Sequence, residues 1–75
     1  MQLEILIHQD GAEYWSEIPE LPGCFASGRT LSELREALAE AVGLYLWDVP
    51  AVLEPAELSV GTGAIDVRPR AGAPG

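Results

Sequence analysis

The segment with the least conformational freedom in this chain is residues 19–23, with the sequence PELPG. Each proline fixes its own φ at about −65° and moves the preceding residue out of the helical region. These residues therefore cannot continue a strand or begin a helix, and the sequence predicts a turn. Gly23 is expected to supply a positive φ that other residues adopt only with strain.

Three strands are predicted around this turn. Residues 3–8 alternate in a period of two, which is typical of a strand with one buried face. Asp10-Gly11 predicts a two-residue hairpin loop and therefore a second, antiparallel strand that ends before Pro19. After Gly23, the alternation within residues 24–28 predicts a third strand.

The hairpin loop also predicts which residues face each other. With Asp10-Gly11 as the loop, Glu4 lies opposite Glu17 and His8 lies opposite Glu13, on the side that a single covering helix leaves open. A longer loop would shift this register by two residues and keep the same faces. The open side would also receive three large apolar residues: Leu6, Trp15 and Phe25.

A helix is predicted from Thr30 onward, because Thr30 and Glu33 form a capping box in which each side chain accepts a hydrogen bond from the other residue's amide. The sequence Asp48-Val49-Pro50 predicts that the helix ends near Leu46 or Trp47. Gly43 inside it either permits a close contact or is simply tolerated. One apolar stripe faces the sheet: Leu34, Leu38, Ala41, Val42 and Tyr45.

The rest of the chain predicts a connection over residues 51–57 and one bent strand over residues 58–67, with a bulge at its glycines. A right-handed crossover places this fourth strand beside the first and parallel to it. The predicted fold class is therefore α+β, with element order β-β-β-α-β and a four-stranded sheet of order 3-2-1-4 under one helix. Residues 1–68 form one domain, and residues 69–75 form a disordered tail.

Composition narrows the class of partner. The net charge is −8, with 12 acidic residues against four arginines. This charge repels phosphate backbones, so we expect no direct binding to nucleic acid and favour a basic protein partner, although acidity that serves only solubility is an alternative. The absence of a long apolar run or a signal-peptide pattern predicts no membrane association and a cytoplasmic location.

The sequence predicts neither catalysis nor a cofactor. His8 is interpreted as a surface pair with Glu13 rather than a general base, and the lone cysteine as a reduced core residue.

The run from Glu17 to Glu33, with its PELPGC sequence, Gly28 and the capping box, resembles the HicB family of antitoxins. The resemblance implies a partial ribonuclease-H-like fold and a partner similar to HicA, a small basic toxin that cuts messenger RNA. Because nucleases of that fold hold metal ions with carboxylates, Asp10, Glu40 and Asp66 could be offered as metal ligands, but metal-assisted cleavage needs carboxylates that converge on ions about 4 Å apart. The hairpin turn accounts for Asp10 and the solvent face of the helix for Glu40. The expected function is therefore a binding module that neutralises such a toxin by occluding it. The alternative is a free-standing HicB-like regulatory or structural oligomeric domain without a toxin.

Two sets of site residues are predicted on the open side of the sheet, one for binding a partner and one for self-association. We also expect a homodimer or higher assembly, because a chain of 75 residues buries only about 60–65% of its unfolded surface and large exposed apolar patches are uncommon on monomers. The outer side of the helix, with Glu33, Glu36 and Glu40, is an alternative binding surface. The predicted partner-binding residues are Glu4, Trp15, Glu17 and Glu20, and the predicted oligomer interface is Leu6, Trp15 and Phe25.

Overall fold

The computed structural model describes residues 1–54 and 57–70 and has the predicted α+β class. Within these residues, five antiparallel strands form one sheet in the order β3-β2-β1-β5-β4, with the helix on one side. The elements in chain order are β1 (Gln2–Asp10), β2 (Glu13–Glu17), β3 (Phe25–Gly28), α1 (Leu31–Leu46), β4 (Ala51–Glu54) and β5 (Gly61–Pro69).

The proline-rich turn between β2 and β3 is confirmed. The Leu21 amide donates to the Ile18 carbonyl at 2.9 Å, and the Cys24 amide donates to the Leu21 carbonyl at 3.0 Å. Gly23 has a φ of 85°, a backbone conformation that glycine adopts without strain, as predicted. Because Leu21 is buried at the centre of the turn, the turn is anchored in the core rather than projecting from it.

The β1–β2 hairpin forms, but its loop is Gly11-Ala12 instead of Asp10-Gly11. Among the described residues of this loop only Gly11 has a positive φ, at 62°, which is the pattern of a type II′ turn with glycine in first position. Asp10 consequently stays in the strand and pairs with Glu13. The predicted register is wrong by two residues, whereas the predicted faces are correct because side chains alternate with a period of two.

Helix α1 begins and ends as predicted. The Thr30 hydroxyl accepts a hydrogen bond from the Glu33 amide at 3.0 Å, while the Glu33 carboxylate accepts from the Arg29 amide at 3.1 Å instead of from Thr30. At the other end, the Trp47 amide donates to the Gly43 carbonyl at 2.7 Å. The helix is therefore capped by its own neighbouring residues at both ends.

We expect Thr30→Ala to lower the free energy of unfolding by about 0.5–2 kcal/mol, because the Glu33 amide loses its acceptor at the helix N-terminus. Thr30→Ser keeps the hydroxyl and is the matched control, expected to retain most of the stability. Urea unfolding followed by circular dichroism measures both variants. Equal midpoints for the parent and the alanine variant would contradict this role of the cap.

The apolar stripe of α1 packs on the sheet through its fully buried residues. Tyr45 is an exception to the predicted stripe: it is 48% exposed, and its hydroxyl donates to the Pro22 carbonyl at 3.0 Å. Trp47 is half-buried and packs against the core. The core residues are Leu3, Ile5, Ile7, Ile18, Leu21, Cys24, Leu34, Leu38, Val42, Ala51, Leu53, Ile65 and Val67.

The second half of the sheet differs from the prediction. Residues 51–54, predicted as part of a connection, form the edge strand β4 and bury Ala51 and Leu53. β5 lies beside β1 as predicted but runs antiparallel to it. The predicted order 3-2-1-4 is therefore correct for the first three strands and for the strand beside β1, which is β5. It lacks the edge strand β4.

The edge of the sheet at β4 is covered by the helix. The Arg35 guanidinium donates to the Leu53 carbonyl, and the backbone of residues 49–51 lies directly against Gly43. Covering an edge in this way prevents unwanted pairing with other strands. Pro69 is the last residue of β5, and the amide of the following Arg70 donates to the Pro50 carbonyl at 3.0 Å. The remaining residues of the predicted tail, 71–75, lie outside the described residues.

Candidate protein-binding face

The side of the sheet opposite α1, called here the open face, carries the predicted site residues. Pairing across three strands places Phe25 of β3, Glu17 of β2 and Leu6 of β1 in one row. The neighbouring row contains Trp15 of β2 opposite His8 of β1. We name these residues the Glu17 patch: Leu6, His8, Trp15, Glu17 and Phe25.

The Glu17 patch has a defined internal geometry. The His8 and Trp15 rings are stacked, with centroids 4.1 Å apart and an interplanar angle of 21°. His8 Nε2 and Glu17 Oε2 are 2.9 Å apart, and both side chains are more than a third exposed. His8 therefore pairs with Glu17 instead of the predicted Glu13, a consequence of the shifted hairpin register.

Two further predicted residues lie at one end of this patch. The Glu4 amide is beyond the end of β2 and has no strand partner on that side, so the Glu20 carboxylate accepts its hydrogen bond at 2.9 Å. The predicted direct pairing of Glu4 with Glu17 is wrong, because Leu6 occupies the position opposite Glu17. Glu4 instead lies diagonally to Glu17, and the acidic residues still share one end of the open face.

Charge is unevenly distributed over the open face. On its β4–β5 half, Arg68 pairs with Glu54 at 3.1 Å, and the N-terminal ammonium pairs with Asp66 at 3.1 Å. On its β1–β2 half, the described residues provide no arginine, and His8 is the single basic side chain. The acidic side chains on that half are Glu4, Asp10, Glu13, Glu17 and Glu20.

The candidate metal ligands are not brought together. Asp10 ends β1 at the hairpin, Glu40 is exposed on α1, and Asp66 pairs with the N-terminal ammonium. Among the residues that the structure describes, no three His, Cys, Asp or Glu side chains are grouped to hold a metal ion. The open face is therefore considered below for the contacts that its aromatic and acidic side chains can make.

Cys24 is buried in the core, where desolvation raises the pKa of its thiol. The folded chain thus holds this proton more tightly than the unfolded chain does. Its contribution to stability is present below the ordinary thiol pKa and is lost as pH rises through the raised pKa of the folded state. A buried, protonated thiol is a poor nucleophile.

We expect iodoacetamide to alkylate Cys24 much more slowly in the native protein than in urea at the same pH. Burial blocks access, and the raised pKa lowers the fraction of the thiol that is present as reactive thiolate. Mass spectrometry of quenched time points measures the rate. A native rate equal to that of the urea-unfolded chain would show that the thiol is accessible.

The described residues define a small α+β protein in which α1 packs on one side of an antiparallel sheet and an acidic, partly aromatic surface lies on the other side. Residues 3–48 match the UPF0150-like family, and the chain belongs to this family. A UPF0150 protein from Archaeoglobus fulgidus is 35% identical over 69 residues, which cover 91% of this chain and 97% of that protein. No solved structure gives a significant match.

The matched segment includes every residue of the Glu17 patch and ends just after α1. The Archaeoglobus protein aligns over a longer span, so the similarity to it extends beyond the helix. Within residues 1–54 and 57–70, no helix has the length and hydrophobicity needed to cross a membrane.

Proposed function

We propose that this chain is a protein-binding module of the HicB antitoxin type, which neutralises a small basic HicA-like toxin by occluding it. The observation that carries this proposal is the β1–β2 half of the open face, where exposed aromatic side chains lie among carboxylates that no arginine of the described chain offsets. The resemblance of residues 17–33 to HicB antitoxins supplies the class of partner.

Charge favours a basic partner over a second copy on this face. A two-fold interface places the same patch on both subunits, so the four glutamates of one copy would meet those of the other. An RNA-cleaving toxin needs basic surface to hold phosphates, and such a surface is complementary to this face. Covering it with carboxylates would also prevent RNA from binding there.

The alternative function is a free-standing HicB-like regulatory or structural domain that self-associates without a toxin. The exposure of Phe25, at 61%, and of Trp15, at 37%, favours some form of contact, and a homodimer or higher assembly stays a prediction. Sedimentation of the pure protein measures it. A single species of 8.0 kDa would exclude self-association at the concentration used.

The test of the proposed function begins with co-expression of this chain and a small basic protein encoded beside its gene. Co-purification of the two is expected. Glu4→Lys combined with Glu17→Lys should then slow association by about tenfold at low salt, because electrostatic steering is reversed. The difference should shrink at high salt, where charges are screened.

The matched control is Glu36→Lys combined with Glu40→Lys, which makes the same change in charge on the outer side of α1. This variant should associate nearly as fast as the parent. If the helix variant is the slow one, the outer side of the helix is the toxin-binding surface. If no basic protein co-purifies and the pure chain self-associates, the free-standing oligomeric domain is the better description.

A further inference from the structure

We propose that the Glu17 patch binds an arginine side chain of the partner, with the guanidinium held by the Glu17 carboxylate and against the ring of Phe25. The proposed function supplies the partner on which such an arginine would lie. The chemistry of the patch itself depends only on the arrangement of its own residues.

The position of Glu17 in the sheet is the first observation. Its direct neighbours across the strands are Phe25 on one side and Leu6 on the other. Directly opposite residues have Cβ atoms about 4.5–5.5 Å apart, so the carboxylate rises between two apolar side chains. A carboxylate in such surroundings is less well solvated than one on an open polar surface, and it gains more from a cation placed upon it.

The hydrogen bonding of Glu17 leaves room for that cation. Oε2 is paired with His8 at 2.9 Å, and His8 is its one hydrogen-bonding side chain within the described residues. His8 is fixed in turn by its stacking on Trp15 at 4.1 Å between centroids. His8 is therefore a positioning residue that orients the carboxylate, while Oε1 remains available to a donor from outside.

The aromatic neighbour selects arginine over lysine. Phe25 is 61% exposed, so its ring is accessible beside the carboxylate, whereas the stacked His8 already covers part of Trp15. A guanidinium is planar and weakly hydrated, and it can stack on a ring while it donates to a carboxylate. An ammonium is more strongly hydrated and presents no plane for stacking.

The experiment uses two synthetic peptides of identical length, one alternating glycine with arginine and the other glycine with lysine. Each is titrated into the ¹⁵N-labelled full chain at one salt concentration. We expect the arginine peptide to bind roughly five- to tenfold more tightly and to shift the indole N–H signal of Trp15. The Trp47 indole, packed against the core, is the internal reference.

Three variants locate the binding. Glu17→Gln should abolish the preference for arginine, and Phe25→Leu, which keeps an apolar side chain but removes the ring, should reduce it. Glu36→Gln removes one charge from the helix and should leave the preference unchanged. Thermal unfolding of each variant establishes that it is folded before its titration is interpreted.

Equal affinity for the two peptides, or an arginine preference that survives in Glu17→Gln, would overturn this inference. So would an equal loss in Glu17→Gln and Glu36→Gln, because binding would then follow total charge. No toxin is needed for this measurement. An arginine preference without any toxin partner would support the patch and contradict the antitoxin proposal, whereas toxin binding without an arginine preference would do the reverse.

Discussion

Replacing Gly43 by alanine will destabilise this protein by about 2 kcal/mol or more, although the same change at an open helical site stabilises a helix by about 1 kcal/mol. A Cβ at Gly43 would lie 2.0 Å from the Val49 carbonyl oxygen and 2.6 Å from the Ala51 nitrogen. Both atoms belong to the backbone leading into β4, so the helix and the edge strand would have to separate. Urea unfolding measures the loss.

Gly63→Ala is the matched control, because a Cβ at Gly63 meets nothing within 4 Å and the residue has no positive φ. The same chemical change should therefore leave the stability nearly unaltered. If both variants unfold at the same urea concentration as the parent, α1 and the chain entering β4 are not in the close contact described above.

Leu38→Ala will cost about 2–5 kcal/mol, the range measured for removing a large aliphatic side chain from a packed core. Leu38 is 0% exposed and lies in the middle of the buried stripe of α1. A domain of this size has a total stability of the order of 4–11 kcal/mol, so the variant will be close to its unfolding threshold. Thermal unfolding and urea unfolding both report the change.

Leu44→Ala makes the same truncation on the same helix at a residue that is 60% exposed. We expect it to change the free energy of unfolding by no more than about 0.5 kcal/mol. A comparable cost at Leu44 and Leu38 would mean that Leu44 is covered in solution, for example by a second copy of the chain. The pair of variants thus tests the orientation of the helix as well as its packing.

The local elements could be predicted because their determinants lie within a few residues of each other. The proline-rich turn and the cap at Thr30 are each set by neighbours in sequence, and the period of the apolar residues identified the buried faces of α1 and β1. The strand β4 was missed because it has only four residues. Its sequence has no strong pattern, and it exists because β5 and α1 pack on either side of it.

The predicted placement of the site residues was partly correct for the same reason. Strand alternation alone placed Glu4, Trp15 and Glu17 on the open face, and that placement does not depend on the register. The contacts between these residues do depend on the register. Because the loop begins at Gly11, the predicted pairs Glu4–Glu17 and His8–Glu13 do not form, and His8 instead contacts Trp15 and Glu17. The one sequence signal for these contacts was Gly11 itself, because a type II′ hairpin loop prefers glycine at its first position and a loop starting there gives the observed register.

By itself, the sequence determined the α+β class, the turn at residues 19–23, the limits of α1 and the faces of the first three strands. The tertiary structure decided the fifth strand, the antiparallel direction of β5, the contact at Gly43 and the pairing of His8 with Glu17. The physical reason is the range of the interactions. Turns, caps and periodicity follow from steric and hydrogen-bonding preferences of adjacent residues, whereas strand order and register depend on which distant segments bury apolar surface together.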